Sequence, residues 1–163
     1  MMMLLLFIFW FKYIDRYFAS QYNKRVAEHI VAAIHCYGVV FAYMGLSMPP
    51  EAIVSWSATY FMVDMVNAFR NKSPIFVFHH IAALALCREM YYENIHQEAV
   101  LRVYVIAECS NILIYPIYIL LHSPMRHNKY IWWIKLVHFC NYSFQRIVLL
   151  MWNAYDTLCV IDL

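Results

Sequence analysis

Long apolar stretches, separated by short breaks rich in proline and polar residues, run through almost the whole sequence. A helix needs about 20 mostly apolar residues to cross a bilayer. Five stretches come close to this length, and none shows the alternation that indicates a strand. They cover residues 26–46, 51–69, 74–91, 99–121 and 130–152. The pattern therefore predicts an all-α fold, an integral membrane helical bundle with five clear transmembrane helices.

The first 18 residues form a further, shorter apolar segment. Its run of eleven apolar residues is short for a span and is followed by Lys12. A signal peptide would carry a basic n-region, and no charge precedes this run. We therefore expect residues 1–18 to form a short N-terminal hydrophobic helix, with Lys12 and Arg16 reaching the membrane interface. No linker or internal repeat is visible, so residues 1–163 are interpreted as a single domain.

The composition excludes several classes of protein. Apolar residue types make up 64% of the chain and charged types 13%, against about 45–50% and about 25% in soluble domains. A soluble domain of this size could not bury so much apolar surface, because small domains leave a large share of their surface in water. A soluble enzyme and a disordered chain are therefore excluded. The net charge of +2 gives no reason to expect a nucleic-acid partner.

Lysine and arginine residues are distributed unevenly among the breaks. Eight of them lie before residue 26 or in the breaks at 70–73 and 122–129. Only two of them, Arg88 and Arg102, lie near the other two breaks, at 47–50 and 93–98. Cytoplasmic loops carry the excess of such cations, so the positive-inside rule predicts that the first set of breaks faces the cytosol.

Ionisable side chains inside the predicted spans are candidates for a functional site, since each unpaired charge there costs about 3 kcal/mol. With a rise of 1.5 Å per residue, Asp64, His79 and His80 lie roughly 9 Å from the cytosolic ends of consecutive helices. The tight turn between these helices brings the three side chains to one level. We predict that Asp64 faces the histidine pair, with a simple helix-packing hydrogen bond as the structural alternative.

Other polar residues of the spans fall into two groups by depth. His35, Lys135 and His138 lie roughly 8 to 15 Å from the same side of the bilayer. We predict that they bind a lipid or its headgroup, with snorkelling as the alternative for Lys135. Glu108 and Arg146 lie deeper, and we predict a structural ion pair between them that joins two helices.

Histidine is frequent in this chain, but its spacing does not fit a metal site. Membrane hydroxylases and desaturases bind two irons through HxxHH-type motifs. Here Phe76 stands three residues before His79, and no HxxxH pair occurs. A glycine-rich phosphate loop is also absent, because the chain has only two glycines. We predict no metal and no bound cofactor.

Five short motifs occur in a fixed order along the predicted spans. They are Arg25-Val26 with Ile34-His35-Cys36, Tyr60-Phe61-Met62-Val63-Asp64, Phe78-His79-His80-Ile81, Ala107-Glu108-Cys109-Ser110-Asn111 and Phe144-Gln145-Arg146-Ile147. In this order they resemble the motifs of the TLC domain. That domain is the membrane module shared by translocating-chain-associated proteins, ceramide synthases and CLN-type lipid proteins. The resemblance covers about residues 25–152.

The resemblance implies a helical bundle around a cavity that holds a lipid chain, usually in the endoplasmic reticulum membrane. In the ceramide-synthase branch, the paired histidines catalyse acyl transfer from acyl-CoA to a sphingoid amine. His79 and His80 match that pair, and Asp64 would orient the imidazole. Two further carboxylates of that branch have no counterpart here, which favours a module without catalysis.

Three functions stay open at this point. The first is a module that binds a membrane lipid or fatty acyl chain and acts in lipid homeostasis, sensing or trafficking. The second is an acyltransferase that uses His79, His80 and Asp64, with acyl-CoA as its co-substrate. The third is a translocon-accessory membrane protein. The expected partners are the bilayer and its lipids, with a homodimer as an open alternative.

Overall fold

The computed structural model describes residues 2–46, 48–92, 97–153 and 155. Within these ranges the chain folds into helices and contains no strand. The all-α prediction is therefore confirmed. Residues 93–96, which belong to one of the predicted breaks, lie outside the described ranges.

Each predicted span is mainly helical. The α-helices are α1 (Met2–Gln21), α2 (Lys24–Met44), α3 (Pro50–Arg70), α4 (Pro74–Tyr92), α5 (Gln97–Asn111), α6 (Ile114–Leu121) and α7 (Tyr130–Ser143). A 3-10 helix covers Pro124–His127, and a π-helical segment, Phe144–Leu149, continues α7. The ends of α2, α3 and α4 lie within two residues of the predicted bounds.

Local chemistry explains where several helices begin. The Asn23 side chain accepts a hydrogen bond from the Val26 amide at 3.0 Å, which satisfies a donor that the start of a helix leaves unpaired. Pro50 begins α3 and Pro74 begins α4, positions where a missing N–H costs little. Lys72 has a φ of 53° and turns the chain sharply, so α3 and α4 pack side by side.

The N-terminal helix is longer than predicted. α1 has 20 residues, enough for about 30 Å, because apolar residues recur at helical spacing beyond the initial run. Phe11 and Ile14 are buried and Phe18 packs beside them. The Phe11 ring lies 4.6 Å from the Trp56 ring and 5.7 Å from the Tyr60 ring. The prediction of an N-terminal hydrophobic helix is confirmed; α1 ends three residues later than predicted and forms part of the bundle.

The predicted span 99–121 is interrupted between α5 and α6. Pro116 explains the break, because its ring excludes the carbonyl four residues earlier and it has no N–H to donate. That carbonyl belongs to Ile112, and the Tyr37 hydroxyl of α2 donates a hydrogen bond to it at 2.7 Å. Tyr37 thus satisfies the acceptor that the proline leaves unpaired and fixes α2 against the break.

Replacing Tyr37 with Phe removes this bond alone. We expect the free energy of unfolding to fall by about 1 kcal/mol, because the Ile112 carbonyl loses its partner. Detergent-titration unfolding measures this change. Tyr13→Phe is the matched control, since the Tyr13 side chain is exposed on α1. Equal stability of the two variants would contradict this role for Tyr37.

α3 lies at the centre of the bundle and packs against α1, α2, α4 and α5. Gly38 on α2 permits the close approach of α3, since a Cβ at Gly38 would lie 3.2 Å from the indole nitrogen of Trp56 on α3. α7 lies at the edge, and among its described residues only Ile131 is buried. The helices around α3 therefore carry the positions where an internal site can form.

Among the residues that the structure describes, two helical stretches have the length and apolar composition of a membrane span. They are Lys24–Met44, with a mean hydropathy of 1.4, and Gln97–Leu121, with a mean hydropathy of 1.6. This composition is consistent with membrane association. Crossing of a bilayer by all five predicted spans stays a prediction.

Candidate functional site

A cavity of about 760 Å³ lies among α2, α3, α4, α5 and α6, within the roughly 300–1,000 Å³ typical of ligand pockets. We name it the central cavity. Its apolar lining residues are Ala32, Phe61, Ala68 and Phe76. Its polar and charged lining residues are Lys24, Arg25, Glu28, His29, His35, Tyr60, Asp64, Asn67, Asn71, Ser73, His79, His80, Glu108, Asn111, Tyr115 and Tyr118.

Asp64 on α3 and His80 on α4 contact each other in the wall of this cavity. His80 Nε2 lies 2.7 Å from Asp64 Oδ2, and the two side chains are 4% and 28% exposed. Both residues stand eight positions from Lys72, at the turn between the helices. Residues equally distant from a tight turn between two helices lie at one level. The predicted contact between Asp64 and the histidine pair is therefore observed, and His80 is the histidine that makes it.

The hydrogen bonds of His80 determine where its protons lie. His80 Nδ1 is 2.6 Å from the Phe76 carbonyl oxygen, which can only accept, so Nδ1 carries a hydrogen. A carboxylate also only accepts, so the contact with Asp64 requires one more proton, on Nε2 or on the carboxyl group. In either form both ring nitrogens are engaged. His80 therefore has no lone pair left to take a proton from a substrate.

Three further side chains extend this pair across the bundle. The Tyr60 hydroxyl donates to Asp64 Oδ2 at 3.3 Å, and the His35 ring stacks on the Tyr60 ring at 4.0 Å. Tyr104 Oη lies 3.3 Å from His35 Nε2. These five residues, which we name the polar network, join α2, α3, α4 and α5. A largely buried network of this kind holds its members in one geometry.

The sequence interpretation named Tyr60 only as part of a motif and did not name Tyr104, although a signal for both as site residues was present. Tyr60 precedes Asp64 by four residues, and Tyr104 precedes Glu108 by four. Residues four apart lie on the same helical face. Each tyrosine could therefore have been placed beside its carboxylate.

His79 differs from His80 in its surroundings. It is exposed and lines the central cavity, and within the described ranges its imidazole makes no hydrogen bond. Its ring centroid lies 5.4 Å from that of His80. Adjacent residues point about 100° apart on a helix, so one histidine faces Asp64 while the other faces the cavity.

Charged and aromatic side chains surround one end of the cavity. Lys24 Nζ donates to Asn71 Oδ1 at 2.9 Å, and Asn71 Nδ2 donates to Glu28 Oε1 at 3.1 Å. The His29 ring stacks on the Tyr118 ring at 3.4 Å. The start of α2 and the ends of α3 and α6 therefore meet there, and all three adjoin breaks that the positive-inside rule predicts to be cytosolic. We name this end the mouth.

Glu108 and Arg146 do not form the predicted ion pair. In the described ranges, the ion pairs are Lys24 with Glu28 and His80 with Asp64. Arg146 Nε instead donates to Ser110 Oγ at 2.9 Å. Arg146 lies in the π-helical segment, whose wider turn changes the direction of its side chain. Arg146 does join α7 to α5, whereas Glu108 lines the central cavity.

The predicted headgroup ligands are separated in the structure. His35 lines the central cavity, but Lys135 and His138 are absent from its lining. Both lie on α7, where Lys135 is exposed and the His138 ring packs near the Tyr142 ring at 5.9 Å. Position along a helix does not specify lateral placement, and α7 lies at the edge of the bundle. The grouping of Lys135 and His138 with His35 is therefore wrong.

The chemistry available in the cavity comes from imidazole, phenol and carboxyl groups. In the described part of the chain, no group of three or more His, Cys, Asp or Glu side chains is arranged to hold a metal ion. The polar end of the cavity offers hydrogen-bond donors and acceptors, and His79 presents to it an imidazole that makes no hydrogen bond to a described residue.

The chain has also been compared with known proteins. No family model, curated protein or solved structure matches it. The resemblance to the TLC domain therefore rests on the motifs of this sequence alone.

Proposed function

We propose that this protein is a multi-pass membrane protein that binds a lipid or fatty acyl chain in the central cavity. It acts in lipid homeostasis, sensing or trafficking, and the TLC-like motifs favour the endoplasmic reticulum membrane. The observation that carries the proposal is the central cavity itself, where apolar side chains such as Phe61 and Phe76 lie beside four members of the polar network, His35, Tyr60, Asp64 and His80. An amphiphile needs both kinds of surface.

Arg25 supports the binding of an anionic headgroup at the mouth. Lys24 is neutralised by Glu28 at 3.8 Å, but Arg25 has no ion pair or side-chain hydrogen bond to any described residue. Its guanidinium offers donors to a carboxylate or phosphate. The acyl chain would extend past Ala68 and Phe76 toward the polar network.

The outer surface of the bundle supports its placement in a membrane. Three large aromatic side chains on α7, those of Trp132, Trp133 and Phe139, are each more than half exposed. An apolar surface of this kind is unfavourable in water and indicates contact with a partner or lipid. The charge distribution among the breaks supports the same placement.

Native mass spectrometry tests the binding proposal. The protein is expressed in membranes, solubilised in a mild neutral detergent and sprayed intact. We expect one bound lipid or fatty acid per chain, which organic extraction then identifies. A folded chain that carries no lipid, and takes none up from added fatty acid, would contradict the proposal.

A second candidate function is acyl transfer, which the unbonded imidazole of His79 favours. His79 would take the proton of an amine or hydroxyl as that group attacks the acyl-CoA thioester. The new amide or ester forms, the carbon–sulfur bond breaks, and the proton passes to the leaving thiolate. Both ring nitrogens of His80 are engaged, so His80 would not take the proton itself. The pair of Asp64 and His80 would instead position His79.

Lipid analysis of cells that express each variant separates the two functions. If the protein is an enzyme, His79→Ala removes a product that the wild type forms, and His79→Gln does not restore it. If it only binds lipid, no product distinguishes the wild type from His79→Ala, and both retain the bound lipid. Arg88→Gln, on the exposed surface of α4, is the control and should match the wild type.

A further inference from the structure

A second cavity, of about 180 Å³, lies between α1 and α3. Three cations line it, Lys12, Arg16 and Arg70, together with one carboxylate, Asp15. Lys12, Asp15 and Arg16 lie three and four residues apart on α1, so they share one helical face. That face meets the last turn of α3, where Arg70 lies. We name this site the basic cleft.

The three cations of the basic cleft are not neutralised by the described residues around them. Within the described ranges, none of them makes an ion pair or a side-chain hydrogen bond. Asp15 lies nearby but is not within ion-pair distance of any of them. Lys24, at the mouth of the central cavity, is bonded to Asn71 and paired with Glu28. The basic cleft thus holds two positive charges in excess, and a concave site of one sign attracts a counter-ion.

We propose that the basic cleft binds the phosphate group of an anionic membrane lipid. Arginine and lysine donors match phosphate oxygens, and basic pockets between helices on the cytosolic side suit such headgroups. A lipid is favoured over soluble phosphate because apolar side chains border the cleft. Val63 and Val66 line it, and exposed Tyr13 and Phe69 lie one residue from its cations on α1 and α3.

This inference needs the membrane placement proposed above, but not a ligand in the central cavity. Only Asn67 lines both cavities. Co-purified lipid in the central cavity and headgroup binding in the basic cleft are therefore separate measurements, and one can fail while the other succeeds.

Binding of short-chain lipids to the purified full chain in neutral detergent tests the proposal. The probes are dioctanoyl phosphatidic acid, dioctanoyl phosphatidylcholine and inorganic phosphate. We expect phosphatidic acid to bind more tightly than the other two. In Arg16→Gln/Arg70→Gln its affinity should fall about 25-fold, since each nearby cation contributes roughly a fivefold factor.

Two further variants keep this test decisive. Arg126→Gln/Lys129→Gln removes the same charge from another predicted cytosolic segment and should change the affinity for phosphatidic acid less than about twofold. Asp15→Asn removes the one carboxylate of the cleft and should tighten binding about fivefold. A misfolded variant would not gain affinity, so this increase reports on the cleft itself.

Three results would overturn the proposal. One is an equal loss of affinity in Arg126→Gln/Lys129→Gln, which would indicate a general effect of positive charge. Another is the absence of tighter binding in Asp15→Asn. The third is inorganic phosphate binding as tightly as phosphatidic acid, which would exclude a lipid as the source of the phosphate.

Discussion

Replacing Ala68 with Phe is expected to abolish lipid binding in the central cavity. Ala68 is buried on α3 and lines this cavity, so a phenyl group there occupies the space of the acyl chain. The existing cavity accepts the added atoms, and the overpacking that destabilises a filled core is avoided. We expect co-purified lipid to fall about tenfold or more, equivalent to about 1.4 kcal/mol of binding free energy.

Ala82→Phe is the matched control for this substitution. Ala82 lies on the exposed surface of α4, so the same added phenyl group points away from the cavity lining. Lipid content is measured by mass spectrometry on both variants, along with their unfolding temperatures. Full lipid content in a folded Ala68→Phe variant would show that the central cavity is not the binding site.

Replacing Asp64 with Asn is expected to be the most destabilising polar substitution in the network. The hydrogen bond between Asp64 and His80, at 2.7 Å, is the shortest contact between side chains in the network, and leaving a buried partner such as His80 poorly matched costs about 1–3 kcal/mol. The neutral amide is also a weaker acceptor for the Tyr60 hydroxyl than the carboxylate that it replaces. We expect the free energy of unfolding to fall by about this amount, as measured by detergent-titration unfolding.

A double-mutant cycle with His80→Gln isolates the interaction free energy between Asp64 and His80. We expect the losses in Asp64→Asn and His80→Gln not to add, with a coupling of about 1 kcal/mol or more between these contacting residues. Glu89→Gln, on the exposed surface of α4, should change stability by less than about 0.5 kcal/mol. Additive losses in the cycle would mean that Asp64 and His80 do not act as a pair.

The positions along each helix were predictable from the sequence. The rise of an α-helix and the tight turn at Lys72 placed Asp64 level with His80. The apolar pattern also gave the bounds of α2, α3 and α4 closely. These properties depend on distance along one chain segment, which sequence spacing fixes.

The lateral arrangement of the helices was not predictable in the same way. Lys135 and His138 were grouped with His35 by depth, but α7 packs at the edge of the bundle, away from the central cavity. Arg146 has a depth close to that of Glu108, yet it bonds Ser110, because the π-helical segment changes its direction. The rotation of each helix about its axis and the helices that it packs against depend on tertiary packing. The depth of a residue along its helix does not specify either. The break at Pro116 was within reach of sequence reasoning, since proline disrupts the bond to the carbonyl four residues earlier.

Photo-crosslinking of a bound acyl chain tests the central claim most directly. The purified protein is loaded with a diazirine-bearing fatty acid at equimolar ratio, irradiated and digested, and the labelled residues are identified by mass spectrometry. We predict labels on residues that line the central cavity, such as Phe61, Phe76 and Tyr118. Labels confined to the exposed face of α7, at Trp133 and Phe139, would contradict a lipid site inside the bundle.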